Sequence, residues 1–187
     1  MELDEISAIA DDYAARLGIR APKVKQGRVL RYRTGGAWLR LRGRWPMLVV
    51  DSRFGALEPA EQEAWLAYVM SAAPRFRRWH WQQFLAWFPL VLIMVIVVIA
   101  VEELLPQLGE IPFLIVVLGG SLLIMRWYQE VCFKADRAVV DVFGWPVMDT
   151  ILDLERRLSS RVGRALFSTP SPARRTARLE QFTRVPE

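Results

Sequence analysis

The chain has 187 residues, of which 53% are hydrophobic and 24% charged, and its formal net charge is +5 at pH 7. This apolar content excludes an intrinsically disordered chain, and the length allows one ordinary globular domain. A single cysteine, Cys132, excludes an internal disulfide. A single histidine, His80, argues against the multi-histidine sites on which most zinc chemistry depends.

The N-terminal segment predicts an amphipathic helix. Apolar residues recur at three- and four-residue spacing between Ile6 and Leu17, and Gly18 follows them. That spacing places the apolar side chains on one helical face, and glycine commonly ends a helix.

A basic β-hairpin is predicted next, because residues 20–44 contain nine lysines or arginines and no acid. Within this stretch, residues 28–33 and 38–42 alternate with a period of two around a turn at residues 34–36. Residues 47–50 predict a third strand, and Pro59 predicts the first turn of the following helix. Together these elements predict a small antiparallel sheet.

Two apolar runs then predict a transmembrane helical hairpin over residues 79–128. The first lacks any charged residue between Trp79 and Val101, and the second extends from Ile111 to Met125. A spanning helix needs about 20 apolar residues. Because arginines flank both outer ends and the connecting loop is acidic, the positive-inside rule predicts two spans in the cytoplasmic (inner) membrane with both termini in the cytoplasm.

Residues 1–78 and 129–187 are accordingly expected to form two halves of a cytoplasmic domain. Helical periodicity continues after the second span, and the sequence Gly144-Trp145-Pro146 predicts a break. A last helix is predicted from Val147 to about Leu166. The arginine-rich tail that follows is interpreted as either a docked peptide or a mobile end.

Four segments, taken in order, resemble motifs of one enzyme family. They are the strand at residues 47–51, the segment 63–72, the segment 132–136 and the stretch 166–179. Their order is similar to that of the HtpX and CAAX-prenyl-protease type of integral-membrane zinc metallopeptidase, whose corresponding motifs are a strand, an HExxH helix, an ExxAD helix and a stretch of the form LFSTHPxxxxRIxxL. The resemblance covers most of residues 45–180 and implies an α+β, mostly helical, zincin-like domain.

The signature residues of that family are replaced in this chain. Tyr68 and Ala72 stand at the two histidine positions, Val69 at the position of the catalytic glutamate and Cys132 at the position of the third ligand. The aspartate of the ExxAD motif is kept as Asp136. HExxH chemistry needs two imidazoles one helical turn apart and a carboxylate that activates the bound water. We therefore expect no catalytic residues and no zinc cofactor, with Tyr68 filling the vacated pocket and Asp136 accepting hydrogen bonds or pairing with a nearby arginine.

The main functional hypothesis is a membrane-anchored pseudopeptidase that serves as a binding or regulatory subunit. In the active family, substrate chains are thought to lie along the edge of the sheet, so the candidate binding surface here comprises Arg28, Arg31, Arg33, Arg40 and Arg42. A membrane protein or a peptide would be its partner.

Two alternatives remain open. One is an active but divergent zinc peptidase with a site rebuilt from Cys132, Tyr68, Asp136 and His80. The other is a basic module that binds anionic membrane lipid, or less favourably nucleic acid, through its arginines.

Overall fold

The computed structural model describes residues 1–29, 34–41, 46–104, 111–158 and 169–183. Its helices and strands, in chain order, are α1 (Leu3–Arg16), β1 (Lys23–Gln26), β2 (Ala37–Arg40), β3 (Met47–Val50), α2 (Ser52–Gly55), α3 (Pro59–Leu104), α4 (Ile111–Phe143), α5 (Trp145–Leu158) and α6 (Pro172–Thr183). A short 3₁₀ turn at Thr34–Gly36 leads into β2.

Helix α1 confirms the first sequence prediction. Its buried face consists of Ile6, Ala10 and Ala14, and Gly18 follows the helix with a φ of 62°. The Glu5 carboxylate accepts a hydrogen bond from the backbone N–H of Glu2 at 2.9 Å, which satisfies one donor at the helix start.

The sheet is mixed, so the prediction of an antiparallel sheet is wrong. Its order is β1-β3-β2, with β3 parallel to β1 and antiparallel to β2. Strand β3 lies where it was predicted, and β2 covers most of the second predicted hairpin strand. Strand β1 was missed because Lys23–Gln26 is almost entirely polar and exposed, so it has no alternating apolar pattern. Of the first predicted hairpin strand, residues 30–33 lie outside the described residues.

The long helices confirm several predicted boundaries. Helix α3 begins at Pro59, and Gly144 separates α4 from α5 with a φ of 86°. Helix α5 is described as far as Leu158, so the remainder of the predicted last helix lies outside the described residues. Residues 172–183 form the docked helix α6, which agrees with the docked interpretation of the tail.

The prediction of a transmembrane hairpin is wrong. Across the part of the chain that the structure describes, no helix is long and apolar enough to cross a membrane. The prediction rested on hydropathy, which reports the composition of a segment and not its packing. This finding contradicts the predicted inner-membrane location with its two spans and membrane anchor.

One hydrophobic core joins the sheet to the helices. Ile6 of α1, Leu48 of β3, Leu66 and Met70 of α3 and Ile151 of α5 are all at most 3% exposed and belong to this core. Burial of such aliphatic side chains stabilises the fold by about 1.5–3 kcal/mol each. The core fixes α3 against α4 and α5, and so places the sequence-predicted site positions.

Candidate functional site

The positions singled out by the family resemblance lie on two neighbouring helices. Tyr68, Val69 and Ala72 belong to α3, and Cys132 and Asp136 belong to α4. Val69 and Ala72 are 3% and 2% exposed, and Val69 packs in the hydrophobic core. The phenol of Tyr68 lies close enough to Cys132 and Asp136 for both to influence its pKa.

A buried arginine occupies the space between these helices. Arg175 of α6 is fully buried, and its Nε donates to Oδ2 of Asp136 at 2.7 Å. Its Nη2 donates to the other carboxylate oxygen of Asp136, and its Nη1 donates to Glu155 of α5. The guanidinium carbon lies 5.3 Å from the centre of the Tyr68 ring. We call these four residues and Cys132 the Arg175 cluster.

The local sequence explains why Arg175 lies between these helices. Helix α6 begins at Pro172, and the hydroxyl of Ser171 accepts from the N–H of Arg174 at 3.3 Å. Pro172, Arg175 and Leu179 are all buried, and their spacing of three and four residues puts them on one helical face. The apolar ends of that face hold α6 against the domain with the arginine between them.

The electrostatics of the cluster are those of a buried ion triad. Burial lowers the pKa of Arg175, but the carboxylates of Glu155 and Asp136 and the Tyr68 hydroxyl raise it well above its usual value, so the guanidinium stays charged. Bidentate guanidinium–carboxylate pairs fix geometry as well as charge. Because two buried carboxylates depend on one cation, the loss of Arg175 would leave both without compensation.

The two other polar members of the cluster are held in their neutral forms. Burial raises the pKa of the Cys132 thiol to about 12, and burial raises the pKa of the Tyr68 phenol well above its usual range. A thiol must ionise to act as a nucleophile or a metal ligand. At neutral pH, Cys132 therefore behaves as a small buried apolar group.

The zinc ion that the family resemblance implies does not fit this donor set. Ala72 offers only a methyl group, Cys132 is protonated, and both carboxylates accept hydrogen bonds from Arg175. A dication would have to approach an immobilised positive charge. Within the described residues, no group of three or more His, Cys, Asp or Glu side chains is placed to hold a metal ion. His80 lies in α3, but its side chain is outside the described part of the structure.

The predicted arginine surface is divided between the two edges of the sheet. Arg28 follows β1, Arg40 ends β2, and β3 lies between these strands. Both arginines are exposed. The other three predicted arginines, Arg31, Arg33 and Arg42, lie outside the described residues.

Arg28 lines an open groove of about 640 Å³ that is formed by the segments following β1 and β3. Its lining residues are Gln26, Gly27, Arg28, Val29, Asp51, Ser52 and Arg53. The groove lies at the carboxyl ends of two parallel strands, which is a common location for ligands in sheets that contain parallel pairs.

Hydrogen bonds from Arg53 link the two segments that form this groove. Its Nη2 donates to the Val29 carbonyl at 2.9 Å and to the Asp51 carboxylate at 2.7 Å, and its Nε donates to that carboxylate at 3.0 Å. The Asp51 carboxylate also accepts from the backbone N–H of Arg53 at the start of α2. Burial raises the pKa of Asp51, but these hydrogen bonds and the charge of Arg53 outweigh it and lower the value overall. The segment that carries Arg28 is thereby fixed.

Sequence reasoning missed Glu155, Arg175 and Arg53. Glu155 follows Ile151, Leu152 and Leu154 on the buried face of α5, and a charged residue on such a face implies a buried partner. Arg175 coincides with the arginine of the family's C-terminal motif. The prediction that Asp136 pairs with an arginine is confirmed by its contacts with Arg175.

Comparison with protein-family models, with curated proteins and with solved structures finds no match to this chain.

The inertness of Cys132 is directly testable. Because a pKa of about 12 leaves roughly one thiolate in ten thousand at pH 8 and the side chain is 1% exposed, we expect no reaction of the folded protein with a chromogenic disulfide reagent. One thiol should react after unfolding in guanidinium chloride. Rapid labelling of the folded protein at pH 8 would contradict the buried, neutral state of this cysteine.

Proposed function

We propose that this chain is a metallopeptidase-like protein that does not hydrolyse peptides and acts as a binding or regulatory subunit. The observation that carries this proposal is the Arg175 guanidinium lying among Tyr68, Cys132 and Asp136. In the resembled family, these positions belong to the zinc site.

The chemistry of the cluster supports a binding role over a catalytic one. Metal-assisted hydrolysis needs a cation that polarises a carbonyl and lowers the pKa of a bound water. A guanidinium carries the positive charge but has no open coordination position for water. Val69, at the position of the general base, cannot transfer a proton.

The β1 edge of the sheet is the proposed place for the partner. In the parallel pairing with β3, Lys23 and Gly27 direct their N–H groups towards Pro46 and Val50 of the β3 side. By alternation, Val24 and Gln26 direct their backbone groups away from β3. An extended peptide can therefore pair with these two residues by strand addition.

The groove beyond this edge supports an acidic partner. A peptide strand that pairs with Val24 and Gln26 continues towards the groove, where Arg28 is exposed and Arg53 holds its segment in place. Arginine binds carboxylates through paired hydrogen bonds. We infer that the partner carries an aspartate, a glutamate or a free C-terminal carboxylate at this point.

Fluorescence anisotropy tests the proposal with a labelled extended peptide of alternating valine and glutamate, alongside its valine–lysine counterpart. We expect the glutamate peptide to bind and Arg28→Glu to weaken its binding at least about tenfold, since a charge-assisted hydrogen bond contributes about 1.5–3 kcal/mol. The matched control is Arg40→Glu, which reverses an exposed arginine at the opposite edge and should change binding less than about twofold.

Equal weakening by both variants would indicate nonspecific attraction and contradict the proposed edge. The absence of binding by either peptide would contradict the binding role itself.

Metal analysis distinguishes this proposal from the alternative of a divergent but active zinc peptidase. The purified chain is incubated with Zn²⁺, desalted and assayed for zinc content and for cleavage of a casein substrate. We expect less than about one-tenth of an equivalent of zinc and no cleavage, because the donor set is neutral or already engaged. Stoichiometric zinc together with cleavage, both lost in Cys132→Ala, would establish the alternative.

A further inference from the structure

Two exposed surfaces of this chain carry clusters of opposite charge. On α1, residues Asp4, Ala8, Asp11 and Ala15 are all exposed and recur at spacings of four, three and four residues. These four residues therefore form one helical face, here called the acidic face. Ala8 lies between its two carboxylates, and Ala15 lies one turn beyond Asp11. Glu2 and Glu5 add further exposed negative charge along its border, whereas the charge of Asp12 is offset by Arg16, 2.8 Å away.

The opposite charge lies where α4 and α6 pack together. Lys134 and Arg137 of α4 and Arg174 and Arg178 of α6 are all exposed, and we call these four residues the basic strip. Phe182, 42% exposed, lies among them. The guanidinium carbons of Arg137 and Arg178 lie 5.3 and 5.1 Å from the centre of its ring.

These ring contacts hold the basic strip ready for carboxylates. Each guanidinium rests against the phenyl ring, so its hydrogen-bond donors remain available at the guanidinium edge. Arg137 also lies 3.6 Å from Asp141, which itself is 60% exposed, so the strip already accommodates one carboxylate. Because this acid interrupts the positive potential, the strip suits separate carboxylates better than a continuous polyanion.

We propose that the occupant of the basic strip is the acidic face of a second copy of this chain, in a two-fold symmetric dimer. In such a dimer each subunit places its α1 against α4 and α6 of the other, so the same contact is made twice. Asp4 and Asp11 lie about 10.5 Å apart along α1 by the helical rise, which allows each to meet a different arginine. Ala8 and Ala15 leave room for Phe182 and for the long arginine side chains.

This inference is independent of the proposed peptide-binding role. It uses neither the Arg175 cluster nor the groove at Arg28. Association that depends on exposed ion pairs is weak at each pair and screened by salt. The dimer is therefore expected at low ionic strength and at high protein concentration.

Sedimentation velocity on the full chain tests the dimer with charge reversals on each surface. One variant carries Asp4→Lys with Asp11→Lys, and the other carries Arg174→Glu with Arg178→Glu. Each variant alone should dissociate at least about tenfold more readily than the wild-type chain, because both contacts of its homodimer become repulsive. An equimolar mixture should associate again, since one contact of the mixed dimer joins the two reversed surfaces and the other joins the two unaltered surfaces.

Two controls keep the result interpretable. Asp153→Lys with Arg156→Glu reverses an exposed ion pair on α5 and should leave dimerisation unchanged. Circular dichroism verifies that all variants fold, as expected for exposed positions. Raising the salt from about 25 mM to about 500 mM should dissociate the wild-type dimer.

Four outcomes would overturn the proposal. The wild-type chain remains monomeric at all concentrations, or the mixture of reversed variants fails to associate. Alternatively, association persists in both reversed variants, which would assign it to another surface such as the exposed apolar residues Ile93, Ile96 and Leu122. Binding of a single-stranded oligonucleotide that requires Arg174 and Arg178, without self-association, would assign the strip to nucleic acid instead.

Discussion

Arg175→Met is expected to reduce the free energy of unfolding by about 3–5 kcal/mol, the usual cost of removing one member of a buried ion cluster. Methionine keeps most of the side-chain volume, so the loss is electrostatic. Without the guanidinium, the carboxylates of Asp136 and Glu155 stay buried with no compensating charge. Urea denaturation followed by tryptophan fluorescence measures the effect.

Arg178→Met is the matched control, because Arg178 is exposed on the same helix and its loss should change stability by less than about 0.5 kcal/mol. Adding Asp136→Asn and Glu155→Gln to Arg175→Met should recover part of the loss, since the buried charges disappear together. A loss below about 1 kcal/mol for Arg175→Met would contradict the uncompensated burial of the two carboxylates.

The same variant has an expected pH dependence. Burial raises the pKa of Asp136, and the charge of Arg175 acts in the opposite direction. Removing Arg175 therefore raises the folded-state pKa of this carboxyl further above its unfolded value. Below the unfolded value both states are protonated and the penalty is absent, whereas it grows as the pH rises through the folded-state value. The deficit of Arg175→Met relative to the wild-type chain should accordingly shrink on acidification.

Gly36→Ala is expected to cost about 3 kcal/mol or more, the second-largest effect. Gly36 has a φ of 66°, and a Cβ atom there would press against the backbone nitrogen of Phe54 and the carboxylate of Asp51. A positive φ alone costs about 1–2 kcal/mol for an alanine. The contact with Phe54 adds to this because a backbone atom cannot move aside as a flexible side chain can.

Gly18→Ala separates the two contributions. Gly18 has a φ of 62°, but no atom lies within 4 Å of the position that a Cβ atom would occupy there, so only the conformational cost of about 1 kcal/mol is expected. Similar losses for both variants in thermal and urea unfolding would contradict a steric contribution at Gly36. Because Asp51 accepts from Arg53 beside the groove, Gly36→Ala should also weaken binding of the glutamate peptide.

The sequence by itself predicted those elements whose signals are local. Apolar spacing predicted α1, the short apolar run at residues 47–50 predicted β3, and Pro59 and Gly144 marked helix boundaries. These signals are reliable because each depends on residues within a few turns of one another. Asp136 was predicted either to accept structural hydrogen bonds or to pair with a nearby arginine, and it does both through Arg175.

The tertiary structure alone decided what depends on distant residues. The partner of Asp136 is Arg175, 39 residues later in the chain, and no periodicity selects it among the arginines. Strand β1 is polar, and its parallel register against β3 is determined by neighbours rather than by its own pattern. Hydropathy predicted two membrane spans because it reports composition and not packing, whereas none of the described helices is long and apolar enough to cross a membrane. Only folding brings one guanidinium between two carboxylates, since long-range contacts, unlike helical periodicity, are not encoded in the spacing of adjacent residues.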